Sequence, residues 1–148
     1  MTQPCPCSDQ QAIVNLLNRY ATCLDHRDWD GLDTVFAADV TGDYGAVLAG
    51  RARVVGMISG LLEGCGPTQH LLGNHVIDID GDTARAATQA RVIHTGAGER
   101  AGLTPYESIG AYHDVLYRTA DGWRITHRRF AVRISIGDIS ILGLDSAG

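Results

Sequence analysis

Asp25, His70 and His94 are the residues of this chain most able to do chemistry together. A carboxylate and two imidazoles that converge on one pocket make a proton-transfer set. Asp25 lies in Leu24-Asp25-His26-Arg27-Asp28-Trp29-Asp30, between two amphipathic patterns, and so sits at a helix end. A carboxylate there is either a solvated linker residue or one aimed into a cavity. His70 belongs to Thr68-Gln69-His70-Leu71-Leu72-Gly73-Asn74, where alternation points Thr68, His70, Leu72 and Asn74 one way. A lone histidine on a half-buried strand is usually a satisfied core or surface group. His94 ends a strand whose same face carries Ala84, Ala86, Thr88, Ala90 and Val92. Side chains that small leave room for a ligand, or let a helix pack closely. Tyr44 ends a short strand after Asp43; its hydroxyl could polarise a carbonyl, hold a water, or sit at a rim. His113 lies with Ala111 and Val115 on a later strand and reads as pocket wall, whereas His75 alternates away and His26 and His127 read as exposed. The expected wall comprises Tyr20, Leu24, Leu72, Asn74, Val92, Ala111 and His113.

The elements that must position these groups follow from periodicity. Ser8 is a good N-cap and Gln11 completes a capping box, after which Ile13, Leu16, Leu17, Tyr20 and Leu24 repeat at helical spacing. Trp29, Leu32, Val35 and Phe36 predict a second, shorter helix over 28–38. Residues 40–44 predict a strand and 45–50 a loop. Val54, Val55, Ile58, Leu61 and Leu62 predict a third helix, stopped by Gly64-Cys65-Gly66-Pro67. The period then changes to two. Strands are predicted over 68–80 and 83–94, joined by Asp80-Gly81-Asp82, then a glycine-rich loop, then strands over 106–118 and 123–136 around Asp121-Gly122. From Gly137 the tail is mostly apolar, suited to covering a pocket mouth or a subunit contact. Helices first and a meander of long strands after them predict an α+β domain, its helices packed on one face of a curved antiparallel or mixed sheet. The domain is expected over 8–138, with terminal tails at 1–7 and 139–148.

Composition sets the outer bounds. With 148 residues, 45% hydrophobic and 20% charged, the chain is one ordinary globular domain. A net charge of -5 argues against generic nucleic-acid binding, and no apolar run is long enough to span a membrane. Four cysteines match no zinc spacing, and the start lacks the basic and apolar regions of a secretory signal. Reduced thiols and a cytoplasmic location are expected. A metal site can be drawn from Asp25, His70 and His94, but no local ligand motif supports it, and neither metal nor cofactor is expected.

Taken in order, the pieces resemble the SnoaL-like branch of the NTF2-like superfamily, and within it the scytalone dehydratase group. The resemblance runs from about Gln10 to Ile136. It rests on Asp25 followed by Arg27-Asp28-Trp29, on Asp43-Tyr44, on Thr68-Gln69-His70, and on Arg91-Val92-Ile93-His94. Asp121-Gly122-Trp123-Arg124-Ile125 matches the closing hairpin, a marker of fold and not of chemistry. The resemblance implies a cone-shaped α+β barrel, often dimeric or trimeric. It implies His70 as the base, oriented and charged by Asp25, with His94 assisting a leaving oxygen. It implies Tyr44 as the group that holds a carbonyl, directly or through water. Two departures concern the substrate: Leu24 stands where the group has a second tyrosine, and Ala111 and His113 where it has serine and asparagine.

The expected function is a cofactor-independent lyase or isomerase, dehydratase-like. It would remove a proton next to the carbonyl of a small, hydrophobic, cyclic substrate by an Asp-His pair. Polyketide cyclisation and epoxide hydrolysis are variants; the latter would want a carboxylate-arginine-carboxylate set, of which only Asp25 is evident. The alternative is a non-catalytic small-molecule-binding or assembly module on the same fold. Convergence of Asp25, His70 and His94 is the feature that separates the two, since a binding module has no need of a paired base.

Overall fold

The computed structural model describes residues 5–145; the expected terminal tails lie in part, at 1–4 and 146–148, outside them. The stripe Ile13, Leu16, Leu17, Tyr20 and Leu24 is buried and makes one face of helix α1, Pro6–Asp25. The helix begins two residues before the predicted cap. Proline at the first helical position is pre-set for the helix, so Ser8 lies inside it and its hydroxyl donates to the Cys5 carbonyl at 2.7 Å. The second predicted helix is only a 3-10 turn, Asp30–Thr34. Phe36 instead opens β1, Phe36–Asp43, because the Val35 carbonyl accepts a bond from the Ile125 N–H and Phe36 lies beside Ile125 in the sheet. β2 is a short strand within the predicted loop, Val47–Ala49, and α2 spans Arg51–Leu62.

Four long strands follow: β3, Cys65–Asp80; β4, Thr83–Gly96; β5, Tyr106–Thr119; and β6, Gly122–Ile136. The spatial order is β2-β1-β6-β5-β4-β3, with β1 parallel to β6 and every other pair antiparallel. This is a curved mixed sheet with α1 and α2 packed on its concave face. β2 and β3 are its two edges, and the sheet curves as the expected α+β cone does without closing on itself. The tail turns back as a 3-10 segment, Ile139–Leu142, with Ile141 fully buried.

Bulges decide which side chains face inward, because one extra residue reverses the alternation beyond it. In β3, Asn74 and His75 together oppose Thr88, and Asn74 takes a positive φ of 50°. In β6, Thr126 is extra between Ile125 and His127, and Arg133 is extra between Val132 and Ile134. Near the second bulge β5 and β6 approach so closely that a Cβ on Gly110 would lie 2.0 Å from the Ala131 carbonyl oxygen. No non-glycine residue fits there.

Both ends of α1 are fastened. At its start Asp9 accepts two bonds from Arg118, at 2.6 and 2.9 Å, and one from the Trp123 indole at 3.2 Å. At its end the Arg27 guanidinium donates at 2.8 Å to the Leu24 carbonyl, the Thr68 hydroxyl and the Gly66 carbonyl. Asp25 is thereby held against β3.

Candidate active site

Asp25, the last residue of α1, accepts from the His70 ring at 2.7 Å, from the His70 backbone N–H at 2.9 Å, and from the Thr68 hydroxyl at 3.0 Å. A carboxylate only accepts, so the His70 proton bonded to it sits on Nδ1. The ring's Nε2 has no protein partner among the described residues, and His70 lines a cavity of about 220 Å³. Burial pushes the Asp25 carboxyl up. The bonds and charge of His70, with the Thr68 hydroxyl, outweigh that and hold it below the usual carboxylate range.

His94, 5% exposed, faces His70 across 6.2 Å between ring centroids. Its Nδ1 donates to the Tyr106 carbonyl at 3.0 Å. Burial pushes the imidazole below its ordinary value, against that bond, with His70 and Arg27 adding to the depression. The neutral ring therefore offers a lone pair on Nε2. On the other side of His70, Tyr20 lies 6.4 Å away by ring centroid, and its hydroxyl pairs with that of Tyr44 at 2.9 Å. Burial raises Tyr44 well above the ordinary phenol value, so it is a protonated donor.

The depressed His94 makes stability depend on pH. Between its lowered native value and about 6.5, the unfolded chain takes up a proton that the folded chain refuses, so stability rises with pH. His75, lowered by burial too, adds with the same sign. The urea midpoint is expected to be higher at about pH 7 than at about pH 5, with unchanged m, and the difference should shrink in His94→Asn. A midpoint that falls over that interval would contradict the buried neutral ring.

The cavity brings together Tyr20, Leu24, Tyr44, His70, Val92 and His94 of the expected residues, with Asp25 directly behind His70. Four others are elsewhere. Leu72 packs into the core without lining the cavity. Asn74 is exposed, because the β3 bulge turns it outward and turns His75 inward, where its Nδ1 meets the Thr88 hydroxyl at 3.1 Å. Ala111 and His113 lie on the outer face of β5: Tyr106, Ser108, Gly110, Tyr112, Asp114 and Leu116 set its inward parity, while Ala111 is buried on the other face and His113 is exposed. The parity of that strand, read from Tyr106, would have found Ser108 and Tyr112, which do line the cavity. His127 is half-buried, 2.6 Å from the Thr41 hydroxyl, not exposed.

Arg128 is fully buried, turned inward by the extra Thr126. Its Nε and Nη2 donate to Asp114 at 2.7 and 2.8 Å. Ile139, Leu142 and Leu144 complete the cavity, so the tail forms part of its wall. Among the described residues no group of three or more His, Cys, Asp or Glu side chains is placed to hold a metal ion, and no helix is long and apolar enough to cross a membrane.

Among the described residues, two helices packed on a six-strand curved sheet give the architecture of solved NTF2-like proteins to which the chain is similar. The chain belongs to the SnoaL-like family, whose domain model matches residues 6–129. An uncharacterised protein of Mycobacterium tuberculosis is 35% identical over 129 residues, 82% of this chain and 83% of that one. Among solved structures, a protein of Kribbella flavida superposes with a TM-score of 0.86 at 23% identity, covering 93% of this chain and 98% of that one. A protein of Novosphingobium aromaticivorans described as a scytalone dehydratase gives 0.79 at 20%, covering 87% of each chain. A hexachlorocyclohexane dehydrochlorinase of Novosphingobium barchaimii gives 0.76 at 10%, covering 88% and 90%. At these identities the likeness of the solved structures is one of fold.

Proposed function

We propose that the protein is a cofactor-independent lyase or isomerase that removes a proton from carbon next to a carbonyl. The observation that carries this reading is the His70–Asp25 pair at 2.7 Å, with Nε2 left open toward an apolar cavity. Asp25 fixes the tautomer and stabilises the imidazolium that forms. His70 Nε2 takes the proton, the C–H electrons move onto the carbonyl oxygen, and the Tyr44 hydroxyl donates to the resulting enolate. Elimination of a β-hydroxyl, with the proton on His70 returned to the departing oxygen, gives a dehydration. Return of the proton to another carbon gives an isomerisation. His94 carries its proton on Nδ1, so its Nε2 accepts from a substrate hydroxyl and holds the leaving oxygen in place.

Size narrows the substrate. A cavity of about 150 Å³ holds benzene, so 220 Å³ suits one substituted ring or two fused rings. The walls Tyr20, Tyr112, Phe130 and Tyr106 favour a planar one. Protein is incubated with one- and two-ring ketones in D2O, and deuterium uptake at the α-carbon is followed by mass spectrometry. Wild type should exchange far faster than His70→Ala. Equal rates in both, for ketones shown to bind, would end the assignment.

The outer sheet face supports a homo-oligomer. Leu71, Val76, Tyr117, Ile134 and Ile136 are exposed there, interleaved with the Arg91–Glu107 pair. We read this face as the contact with a second or third copy. Light scattering should give a dimer or trimer for wild type and a smaller species for Ile134→Glu; a wild-type monomer would exclude it. The four cysteines are unpaired, which fits a reducing cytoplasm.

A further inference from the structure

Arg128 makes an arrangement that the proton-transfer pair does not explain. Its guanidinium carbon lies 4.1 Å from the ring centroids of both Tyr20 and Tyr112, so the cation is held between two aromatic faces. Nε and Nη2 form the two-pronged bond to Asp114, and both side chains are 0% exposed. A guanidinium is planar, so Nη1 points away from the carboxylate. Nη1 is buried and has no hydrogen-bond partner among the described residues. Buried donors are nearly always paired, and one that is not calls for a reason in function.

The surroundings supply one. Tyr20 and Tyr112 are the rings against the cation, and both also line the cavity. Arg128 does not line it and stands one layer behind the wall. The Tyr20 hydroxyl meets that of Tyr44 at 2.9 Å, and Tyr44 also lines the cavity. The charge of Arg128 acts on Tyr44 against the effect of burial, whereas Tyr112 feels both ends of the Arg128–Asp114 pair. The cation thus stands against the ring of Tyr20, whose hydroxyl is the one paired with Tyr44.

We propose that Arg128 is a positioning residue that makes the Tyr20–Tyr44 end of the cavity selective for an anionic oxygen on a ring, an enolate or phenolate. The inference rests on the proton-transfer reading for its purpose, but the selectivity is a binding property and exists without turnover. Arg128 holds the two rings by their faces, and its charge, little screened in an apolar interior, favours negative charge just beyond the paired hydroxyls. Asp114 keeps the cation tolerable in the interior and aims it.

The test uses p-nitrophenol, a one-ring probe whose phenolate has its own visible band, and nitrobenzene as a neutral partner of similar shape. In wild type the bound phenol should ionise at lower pH than in water, with phenolate bound at least about tenfold more tightly than phenol. In Arg128→Met/Asp114→Leu, which removes both charges together, that preference should vanish while nitrobenzene binds as before. Tyr44→Phe leaves the ion pair intact and should also lose the preference, which keeps the test decisive if the double variant does not fold. The measurement is repeated in His70→Gln, where no imidazolium at that position can supply the preference, and it should persist. Neutral binding or no binding of p-nitrophenol by wild type would overturn the proposal. So would an unchanged preference in the double variant, parallel loss of nitrobenzene binding there, or loss of the preference in His70→Gln. A failure of deuterium exchange with phenolate selectivity intact would count against the lyase reading alone.

Discussion

His70→Ala should lower the rate of α-proton exchange on a true substrate by about a hundred- to ten-thousand-fold, with the fold unchanged. That range is about 2.7–5.4 kcal/mol of transition-state stabilisation, at about 1.36 kcal/mol for each tenfold. Asp25→Asn should fall in the same range for a different reason. The carboxylate uses one oxygen for the His70 ring and the Thr68 hydroxyl, and the other for the His70 backbone N–H. An amide has only one such oxygen. If it serves the backbone, its NH2 faces the ring, and Nδ1 must accept rather than donate. The ring proton then moves to Nε2, and the base is lost to the cavity. Two-dimensional NMR of the ring nitrogens should show Nδ1–H in wild type and a changed tautomer in Asp25→Asn. Exchange rates within about threefold of wild type in both variants would remove the pair from the mechanism.

Arg128→Met is expected to destabilise the protein more than any other single change considered. It leaves the Asp114 carboxylate buried without its partner, at a cost of about 3–5 kcal/mol. The face contacts to Tyr20 and Tyr112 go with it. Domains of this size are stable by only about 5–15 kcal/mol, so much of the native margin is at stake. The urea midpoint should drop accordingly, and adding Asp114→Leu should restore most of it, because the orphaned charge is then gone. Equal midpoints for Arg128→Met and wild type would show that the pair is not dry. Asp25 acts at acid pH with the opposite dependence on charge. Its carboxyl is held low in the folded state, so its contribution is present above about pH 3.9 and is lost as pH falls through the lower native value.

Much of the site could be read from the chain. The helical stripe ending at Leu24 placed Asp25 at a helix end, and the alternation of β4 put Val92 and His94 on the face that is buried. Thr68 and His70 lie before the first bulge of consequence, so their direction followed from period two. Beyond each bulge the same rule failed. Asn74 turned outward and His75 inward after Gly73, and Arg128 turned inward after Thr126. Ala111 and His113 face outward for another reason: Tyr106, Tyr112 and Leu116 state the inward parity of β5, and Ala111, His113 and Val115 belong to the opposite set.

Local periodicity by itself determined α1 ending at Asp25, α2, the long strands and the inward direction of His70 and His94, because those depend on neighbours within one or two turns; it did not determine the cap at Ser8 or the fate of the stretch after Asp28. Tertiary structure alone decided three things. Pairing of β1 beside β6 drew Phe36 out of a helix and into the sheet. Strand bulges, which arise where two chains of unequal length must stay in register, chose which face Arg128 and His75 present. The return of the tail brought Ile139, Leu142 and Leu144 to the cavity. Each of these depends on what lies opposite a residue in space, and a side-chain period along one strand carries no record of an extra residue in its neighbour.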